Sequence, residues 1–408
     1  MGGEAKREGL LVSDKPQSIH DMANYVLNEA IKRANEDKFD EAVGTYSNLT
    51  DLAPAIAGAF SQRGRCHWEM HRWDKANEDF ETAYRLDPNN ADVAWTLGLM
   101  RLQQNNFKGA WPLYEGRWES KSFKSPRLRT GKKQWEHGYQ SGSDRILVWP
   151  EQGLGDQIIY ASLLNKLKSH VKSVTAMTDM RLVAPLQRGM PDIKFIPHDA
   201  KINADDFDYH IPIASLGSYF IDKLSDINHH CSRDYIKADG NRTAQLRKMI
   251  GLGDKDQVIG LSWASTAKMV GKHKSCTLQD LEPVLAWGRK RGYKFVSLQY
   301  GEPVNDLLEY ADIIDPPVNT FFDIDGVCSL ISMCSFVVTV SNVNAHLAGA
   351  MGKQTYLLDA NKLWYWNNRN ENTPISKWYP HTYVIPREHM LAPWDAPIKK
   401  LVNYLEKR

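Results

Sequence analysis

An aspartate closely follows two glycines in the stretch WPEQGLGDQIIY, which runs from Trp149 to Tyr160. An apolar run precedes the glycines and an apolar helical pattern follows them, so the spacing predicts a strand-to-helix turn with Asp156 near the helix start. One interpretation is a tight turn in which Asp156 caps the helix. The other is a catalytic carboxylate beside Gly153 and Gly155, where the absence of side chains lets a ligand approach the backbone.

A second candidate loop is SNVNAHLAGAMGKQTYLL, which runs from Ser341 to Leu358 after another apolar strand. Backbone N–H groups at a helix N-terminus, joined by hydroxyl and amide side chains, form a natural seat for a diphosphate. The candidates here are the side chains of Ser341, Asn342, Asn344 and His346. The alternative is a tightly packed helix in which Ser341 and Asn342 are caps and the histidine is structural.

Three lysines lie in a third loop, SWASTAKMVGKHKSCTL, which also follows an apolar strand. Its first residue, Ser262, is a further candidate to contact a nucleotide sugar. Lys268, Lys272 and Lys274 are candidates to neutralise the charge that builds up on a leaving diphosphate. Each of them is equally compatible with a solvent-exposed position, and we expect at most two to take part.

The stretch VSLQYGEP completes this set of polar loops. Its side chains Gln299, Tyr300 and Glu302 are candidates to hold a base or a ribose. They follow an apolar strand, as the other candidates do.

Short apolar runs alternate with helical patterns from Arg145 onwards, which predicts parallel sheets with crossover helices. A polar segment, 229–257, splits the series into two halves of Rossmann type. Ligands bind beyond the carboxyl ends of such strands, so we expect the loops to face one cleft between the halves. The predicted strands are Arg145–Trp149, Ser173–Met177, Ile193–Pro197, Tyr209–Ile213, Val258–Trp263, Lys294–Leu298, Ile313–Ile314, Phe336–Val340 and Gln354–Leu358.

A 34-residue period runs through the first part of the chain, at positions occupied by small or by aromatic residues. These positions are Ala30, Gly64 and Gly98; Ala42, Ala76 and Ala110; and Tyr46, Phe80 and Tyr114. The period, together with the stretch WDKANEDFETAYRLDPNN, resembles the tetratricopeptide repeat, a helical hairpin that stacks on its neighbours. The resemblance implies an interaction module that binds a protein partner.

Composition argues against several classes of protein. The formal net charge of the 408 residues is +2, which gives no case for a nucleic-acid partner or an acidic membrane surface. Five cysteines without a CxxC pair indicate reduced thiols and no zinc site. No apolar run approaches the ~20 residues of a membrane span and the charged start lacks the apolar core of a signal peptide, so we expect a cytoplasmic protein without a transmembrane segment.

These patterns predict an α + α/β chain, a helical repeat stack followed by two Rossmann-like lobes. The predicted segments are a flexible N-terminus (1–18), three tetratricopeptide repeats (19–119), a linker (120–144), an N-terminal lobe (145–240), a C-terminal lobe (241–393) and a C-terminal helix (394–408).

Four stretches occur in the order seen in the heptosyltransferase-like (family 9) glycosyltransferases: VWPEQGLGDQIIYASLL, GLSWASTAK with HKSCTL, FVSLQYGE and SNVNAHLAGAMGKQTYLL. With the repeats, the chain resembles the branch of this family that fuses tetratricopeptide repeats to the transferase. It is more distantly similar to O-GlcNAc transferase. The resemblance covers nearly all of residues 19–393.

The resemblance implies a GT-B fold that binds a nucleotide sugar as co-substrate, with no metal and no other cofactor. It implies that Asp156 is the general base of an inverting transfer to a hydroxyl acceptor on a polypeptide or a glycan. Ser341, Asn342 and His346 match the diphosphate loop, and 299–302 matches the nucleoside rim. The N-terminal lobe would bind the acceptor and the C-terminal lobe the nucleotide sugar.

The chain departs from the family pattern at two places. An acidic residue usually precedes the small-residue helix, but this chain has Val340 before Ser341, and the lysine loop has Lys274 in place of an arginine. A second hypothesis is therefore a catalytically degenerate scaffold that binds a nucleotide and acts through its repeats. A plain repeat adaptor would leave the ordered loops unexplained, and the pair Asp323 and Asp325 is better explained by helix capping than by a metal.

Overall fold

The computed structural model describes residues 19–136, 142–231, 234–266, 271–301, 304–366 and 374–408. Over this described part, the chain separates into two compact units that divide between Val93 and Ala94. The predicted segment boundaries inside the second unit stay predictions.

Helical hairpins form the first part of the chain. The helices are α1 (Ile19–Asn35), α2 (Phe39–Leu52), α3 (Ala57–Glu69), α4 (Trp73–Leu86), α5 (Ala91–Gln103) and α6 (Phe107–Tyr114). A short 3₁₀ turn, Glu115–Glu119, continues from α6.

The three hairpins share one turn. Asp37, His71 and Asn105 follow one another at the 34-residue spacing and adopt left-handed φ values of 63°, 54° and 61°. After each of them, the next N–H bonds back to a carbonyl five residues earlier, at 2.9, 2.8 and 2.9 Å. This is the bond that closes a Schellman cap. The α5–α6 hairpin therefore has the same turn as the two hairpins before it.

Small residues sit where the paired helices cross, as the period predicts. In the first unit, Ala30, Ala42 and Ala76 are fully buried. A Cβ placed on Gly64 would lie 2.9 Å from the Phe80 ring, so only glycine fits there.

Five strands of the described chain form the first parallel sheet, in the order β1-β5-β2-β3-β4. The strands are β1 (Lys133–Gln134), β2 (Arg145–Trp149), β3 (Ser173–Thr178), β4 (Lys194–Pro197) and β5 (Tyr209–Pro212). The helices that follow α6 in this lobe are α7 (Leu154–Ala161), α8 (Leu164–Lys168), α9 (Met180–Gly189), α10 (Leu216–Phe220) and α11 (Leu224–Cys231).

Six strands of the described chain form the second parallel sheet, in the order β11-β10-β9-β6-β7-β8. The strands are β6 (Val258–Ser262), β7 (Lys294–Ser297), β8 (Ile313–Ile314), β9 (Phe336–Val340), β10 (Thr355–Asp359) and β11 (Thr382–Pro386). The helices are α12 (Gly240–Met249), α13 (Gly271–Lys274), α14 (Glu282–Lys290), α15 (Val304–Leu307), α16 (Ile324–Met333), α17 (Val343–Ala350) and α18 (Asp395–Glu406). Read from β8, this is the 3-2-1-4-5-6 order of the Rossmann fold.

The predicted fold class is confirmed, and the predicted strands lie within one or two residues of the observed ones. Two strands escaped prediction. The first, β1, has two exposed residues in the predicted linker, although Trp135 beside it is fully buried. The second, β11, is an edge strand that ends at a proline. The helical pattern predicted after the two glycines forms two helices, α7 and α8.

Pairs of helices pack the two lobes against each other. Helix α7 packs against α17, and the Trp378 indole donates to the Ile159 carbonyl of α7 (3.1 Å). Helix α9 packs against α16, where Arg188 pairs with Asp325. The predicted capping role is confirmed for Asp323, which accepts from the Gly326 N–H (2.8 Å) at the start of α16.

Within the described ranges, none of the helices combines the length and the apolar character that crossing a membrane requires.

A matched pair of glycine substitutions tests the hairpin packing. Gly64→Ala places a methyl group against Phe80 and is expected to lower the free energy of unfolding by about 1–3 kcal/mol. Gly44→Ala, in α2, meets no atom within 4 Å and is expected to raise it by about 0.5–1 kcal/mol, because alanine favours the helix. Urea unfolding followed by circular dichroism measures both. Equal effects of the two substitutions would contradict the packing described.

Candidate active site

The candidate loops lie near the topological switch point of each sheet, where the strand order reverses. In the second sheet, β6 and β9 are neighbours. The strand that follows β6 in the chain lies towards one edge of the sheet, and the strand that follows β9 lies towards the other edge. Ser262 ends β6 and Ser341 directly follows β9. In the first sheet, β2 lies between β3 and β5, and the loop after β2 leads to Asp156. Such switch points leave a crevice in which ligands of open α/β sheets bind.

Asp156 caps helix α7 and also has the electrostatics of a proton acceptor. Its Oδ2 accepts a hydrogen bond from the N–H of Gly153, the N-cap residue (3.1 Å), so Asp156 takes part in capping from the third position of the helix and is not itself the N-cap. Burial raises the pKa of this carboxyl to about 6, the Gly153 N–H and Lys274 act in the opposite direction, and Glu151 adds to the rise. A group with such a pKa exchanges a proton readily near neutral pH.

Gly155 brings the two lobes together. A Cβ placed on Gly155 would lie 2.9 Å from His346 Cδ2 and 3.0 Å from its Nε2. The space left by the missing side chain is therefore occupied by the imidazole. Gly153 differs, because the nearest atom to a Cβ there is Asp156 Oδ2 at 3.5 Å.

His346 is a buried, neutral imidazole. Its Nδ1 is 3.1 Å from the Tyr379 hydroxyl, and its ring centroid is 4.6 Å from that of Trp366. Burial lowers the pKa of His346 to about 3, and the charge of Lys274 lowers it further in the same direction.

Four predicted nucleotide contacts form one buried network. Asn342 Nδ2 donates to Ser262 Oγ (2.9 Å), and Asn344 Nδ2 donates to the same oxygen (3.0 Å). Gln299 Oε1 accepts from Ser262 Oγ (3.3 Å) and from the Ala264 N–H (2.8 Å). These side chains hold the ends of β6, β7 and β9 together. Their contact with a ligand stays a prediction.

The other predicted site residues differ in how far they are exposed to solvent. Ser341 is buried, and its Oγ accepts from the Trp366 indole N–H (2.9 Å). Tyr300 is half-buried and Lys272 is exposed. Lys268 and Glu302 lie outside the described residues.

Lys274 is held by its neighbours in the chain. The His273 carbonyl accepts from Arg387 (2.8 Å), and the Ser275 carbonyl accepts from the Trp394 indole N–H (2.9 Å). Both donors, Arg387 and Trp394, lie in the segment that follows β11. The backbone on each side of Lys274 is thereby fixed against the second lobe.

The positive charge of Lys274 shifts the pKa of ionisable groups in both lobes. Its ammonium lowers the pKa of Asp156 in the first lobe and of His346 and Asp359 in the second. A cation at this position is suited to stabilise a negative charge that develops between the lobes.

Asp359, the last residue of β10, is not among the predicted site residues. Leu358 pairs with Val340, so Asp359 lies beside Ser341 at the carboxyl edge of the sheet. Its carboxyl is fully buried, and Oδ2 has no hydrogen-bond partner among the described residues. Burial raises its pKa to about 6. An acid that ends the apolar strand TYLLD was the available signal.

A cavity of about 470 Å³ opens beside the loop that leads to Asp156. It lies at the carboxyl edge of the first sheet, with Trp149 and Met177 in its apolar lining. Gln157 also lines it, and the Gln157 Oε1 is fixed by the hydroxyl of Thr178 (2.9 Å) and the N–H of Asp179 (2.9 Å).

No group of three His, Cys, Asp or Glu side chains in the described ranges is arranged to hold a metal ion.

Comparison with known proteins places these features in context. Residues 57–90 match the tetratricopeptide repeat family. The chain is 25% identical over 386 residues to the protein FlbA of Caulobacter vibrioides, a match that covers 87% of this chain and 62% of FlbA. The chain thus spans less than two thirds of the length of this relative.

Two solved glycosyltransferase structures are similar to the chain. ADP-heptose LPS heptosyltransferase II of E. coli has 13% identity and a TM-score of 0.43, over 65% of this chain and 100% of that one. The family 9 glycosyltransferase of Veillonella parvula has 14% identity and a TM-score of 0.44, over 66% and 90%.

The close approach of α7 and α17 gives a testable difference between two neighbouring glycines. Gly155→Ala forces the His346 ring away and is expected to reduce the free energy of unfolding by about 1–3 kcal/mol. Gly153→Ala, with an ordinary φ of −91°, is expected to change it by less than about 0.5 kcal/mol. Chemical denaturation of both variants measures the difference. If Gly155→Ala is as stable as the original chain, α7 and α17 do not meet as described.

Proposed function

We propose that residues 94–408 form a glycosyltransferase that moves a sugar from a nucleotide sugar to a hydroxyl acceptor, with inversion and without a metal. One observation carries the proposal. A carboxyl group with a pKa of about 6 in one lobe and an anchored lysine in the other, Asp156 and Lys274, interact across the crevice formed by two switch points. A proton acceptor and a cation are the two charges that sugar transfer from a diphosphate needs.

The second lobe is proposed to bind the donor. The positive end of the α17 dipole and the Ser341 hydroxyl would face the diphosphate, with Lys274 opposite. Negative charge grows on the diphosphate as its bond to the sugar breaks, and preorganised donors and cations stabilise that charge. The buried network around Ser262 would keep these groups in place before the donor arrives.

Asp156 is proposed to be the general base. It would take the proton of an acceptor hydroxyl while that oxygen forms a bond to the anomeric carbon. The bond between the anomeric carbon and the diphosphate oxygen breaks in the same step, and the electron pair leaves with the nucleoside diphosphate. Attack from the face opposite the leaving group inverts the configuration.

The cavity beside Trp149 is the proposed acceptor site, because it adjoins both the loop before Asp156 and Gln157 just after it. Its volume of about 470 Å³ suits a sugar or a short side chain with its backbone. The repeats are proposed to bind a protein partner, which makes a polypeptide acceptor the first to test.

A nucleotide-binding scaffold without turnover is the second candidate. The observation in its favour is that Val340 stands where the resembling family has an acid, while the neighbouring acid Asp359 is fully buried. The scaffold and the transferase both predict nucleotide binding, but only the transferase predicts that Asp156 matters for a rate.

A ligand screen tests the donor site. One nucleotide diphosphate or its sugar is expected to raise the melting temperature of the protein in EDTA, with about 2.7 kcal/mol of stabilisation at one hundred times its Kd. Differential scanning fluorimetry across UDP, GDP, ADP, CMP and TDP and their sugars measures it. Lys274→Met is expected to weaken the binding at least about tenfold through the lost cation. No stabilisation by any of them at millimolar concentration would contradict both candidates.

Substitution of Asp156 separates the two candidates. Asp156→Asn is expected to lower kcat by about 100- to 10,000-fold, with the donor Kd unchanged. Because the active form is the carboxylate, kcat of the original chain should rise with pH and level off above about 6. Steady-state transfer of a radiolabelled sugar between pH 5 and 8 measures it.

Asp192→Asn, on an exposed turn, is the matched control and should leave kcat as it is. Because Asp359 also has a pKa of about 6, the pH limb must persist in Asp359→Asn if it belongs to Asp156. A donor that binds but is never transferred would favour the scaffold.

A further inference from the structure

The loop before Asp156 holds an unfavourable backbone conformation. Gln152 has a φ of 59°, the left-handed region that non-glycine residues rarely adopt. Such residues persist where surrounding contacts determine them, and they cluster at functional sites. Gln152 stands four residues before the proposed base.

Two hydrogen bonds hold Gln152 in this conformation. Its backbone N–H donates to the Ser125 hydroxyl (2.7 Å). Its side-chain Nε2 donates to the hydroxyl of Tyr114, the last residue of α6 (2.9 Å). Tyr114 is almost fully buried and Gln152 is exposed, so this bond joins an exposed loop to a fixed hydroxyl.

The residue before Gln152 is held from the same side. Glu151 accepts two hydrogen bonds from Arg117, at 2.7 and 2.8 Å, and both side chains are fully buried. Arg117 also donates to the Ser215 hydroxyl (2.9 Å), and Glu151 accepts from the Ala214 N–H (3.1 Å). The turn after α6 is thus bonded to the segments that directly follow β2 and β5, the strands of the first switch point.

Helix α6 itself is firmly seated in the second compact unit. The Trp111 indole donates to the Ile221 carbonyl (2.7 Å), and its ring lies where a Cβ on Gly217 would be, 2.3 Å away. Trp364, from the second lobe, contacts both Phe107 and Trp111 with centroid distances of 6.4 and 6.1 Å. α6 therefore touches both lobes beside the crevice.

We propose that α6 and the turn after it are a positioning element of the active site, in which Tyr114 and Arg117 set the loop that presents Asp156. The inference rests on the proposed transferase function and deepens it. The last helix of the repeat pattern then positions the loop that carries the proposed base. Neither residue touches the reacting atoms, and both act through Gln152 and Glu151.

The test is a pair of substitutions that break and then relieve the constraint. Tyr114→Phe keeps the ring and removes the hydroxyl that accepts from Gln152, so kcat is expected to fall about 5- to 10-fold, the worth of one hydrogen bond. The donor Kd should stay unchanged because the donor seat is in the other lobe. Adding Gln152→Gly should recover most of the lost kcat, since glycine adopts a positive φ without strain.

A second measurement does not need turnover. Hydrogen–deuterium exchange of the peptide 150–157 should be faster in Tyr114→Phe and unchanged in Tyr46→Phe. Tyr46→Phe removes an equally buried hydroxyl that has no partner among the described residues. If the original chain transfers no sugar, the proposed function fails while this exchange result still decides the positioning role.

Three results would overturn the inference. They are an unchanged exchange rate in Tyr114→Phe, a fall in donor affinity that parallels the fall in kcat, and a kcat that Gln152→Gly does not recover. A purely structural role of Tyr114 predicts that Gln152→Gly does not recover kcat. Relieving backbone strain at one residue does not reverse a general loss of stability.

Discussion

The second compact unit depends on one buried ion pair, Arg117 with Glu151. Both side chains are inaccessible to solvent, so the desolvation of two charges must be offset by their mutual attraction and by the hydrogen bonds around them. Ser215 and Ala214 supply those bonds. Burial alone would lower the pKa of Arg117, but Glu151 raises it above its usual range, so the guanidinium stays charged. The pair ties the turn after α6 to the segments that follow the two strands of a switch point, which fixes the loop that leads to Asp156.

A second constraint, steric rather than electrostatic, sets the spacing of the lobes. The His346 imidazole rests directly on Gly155, and its own position is set by Tyr379 and Trp366. The histidine must be neutral to lie in this apolar contact, and burial lowers its pKa accordingly. The carboxyls of Asp156 and Asp359 each have a pKa of about 6, raised by burial and lowered by Lys274, so both can change charge near neutral pH.

Sequence periodicity and motif spacing predicted much of the architecture. The 34-residue period located the helical hairpins, and the alternation of apolar runs located the strands of both sheets. These features are local, because helix and strand patterns are set by residues a few positions apart. Asp156 at the start of a helix was predicted for the same reason. The left-handed turns at Asp37, His71 and Asn105 were not, since none of the three is a glycine.

The amino-acid sequence alone determined the order of the elements and the polar loops that end the strands. The tertiary structure decided what those loops do with their side chains. Ser262, Asn342 and Asn344 carry the marks of ligand contacts in the sequence, yet in the fold they bond to one another. The proximity of Asp359 to Ser341, and of Tyr114 to Gln152, also depends on strand order and helix packing. Such contacts join residues far apart in the chain, and no local pattern specifies them.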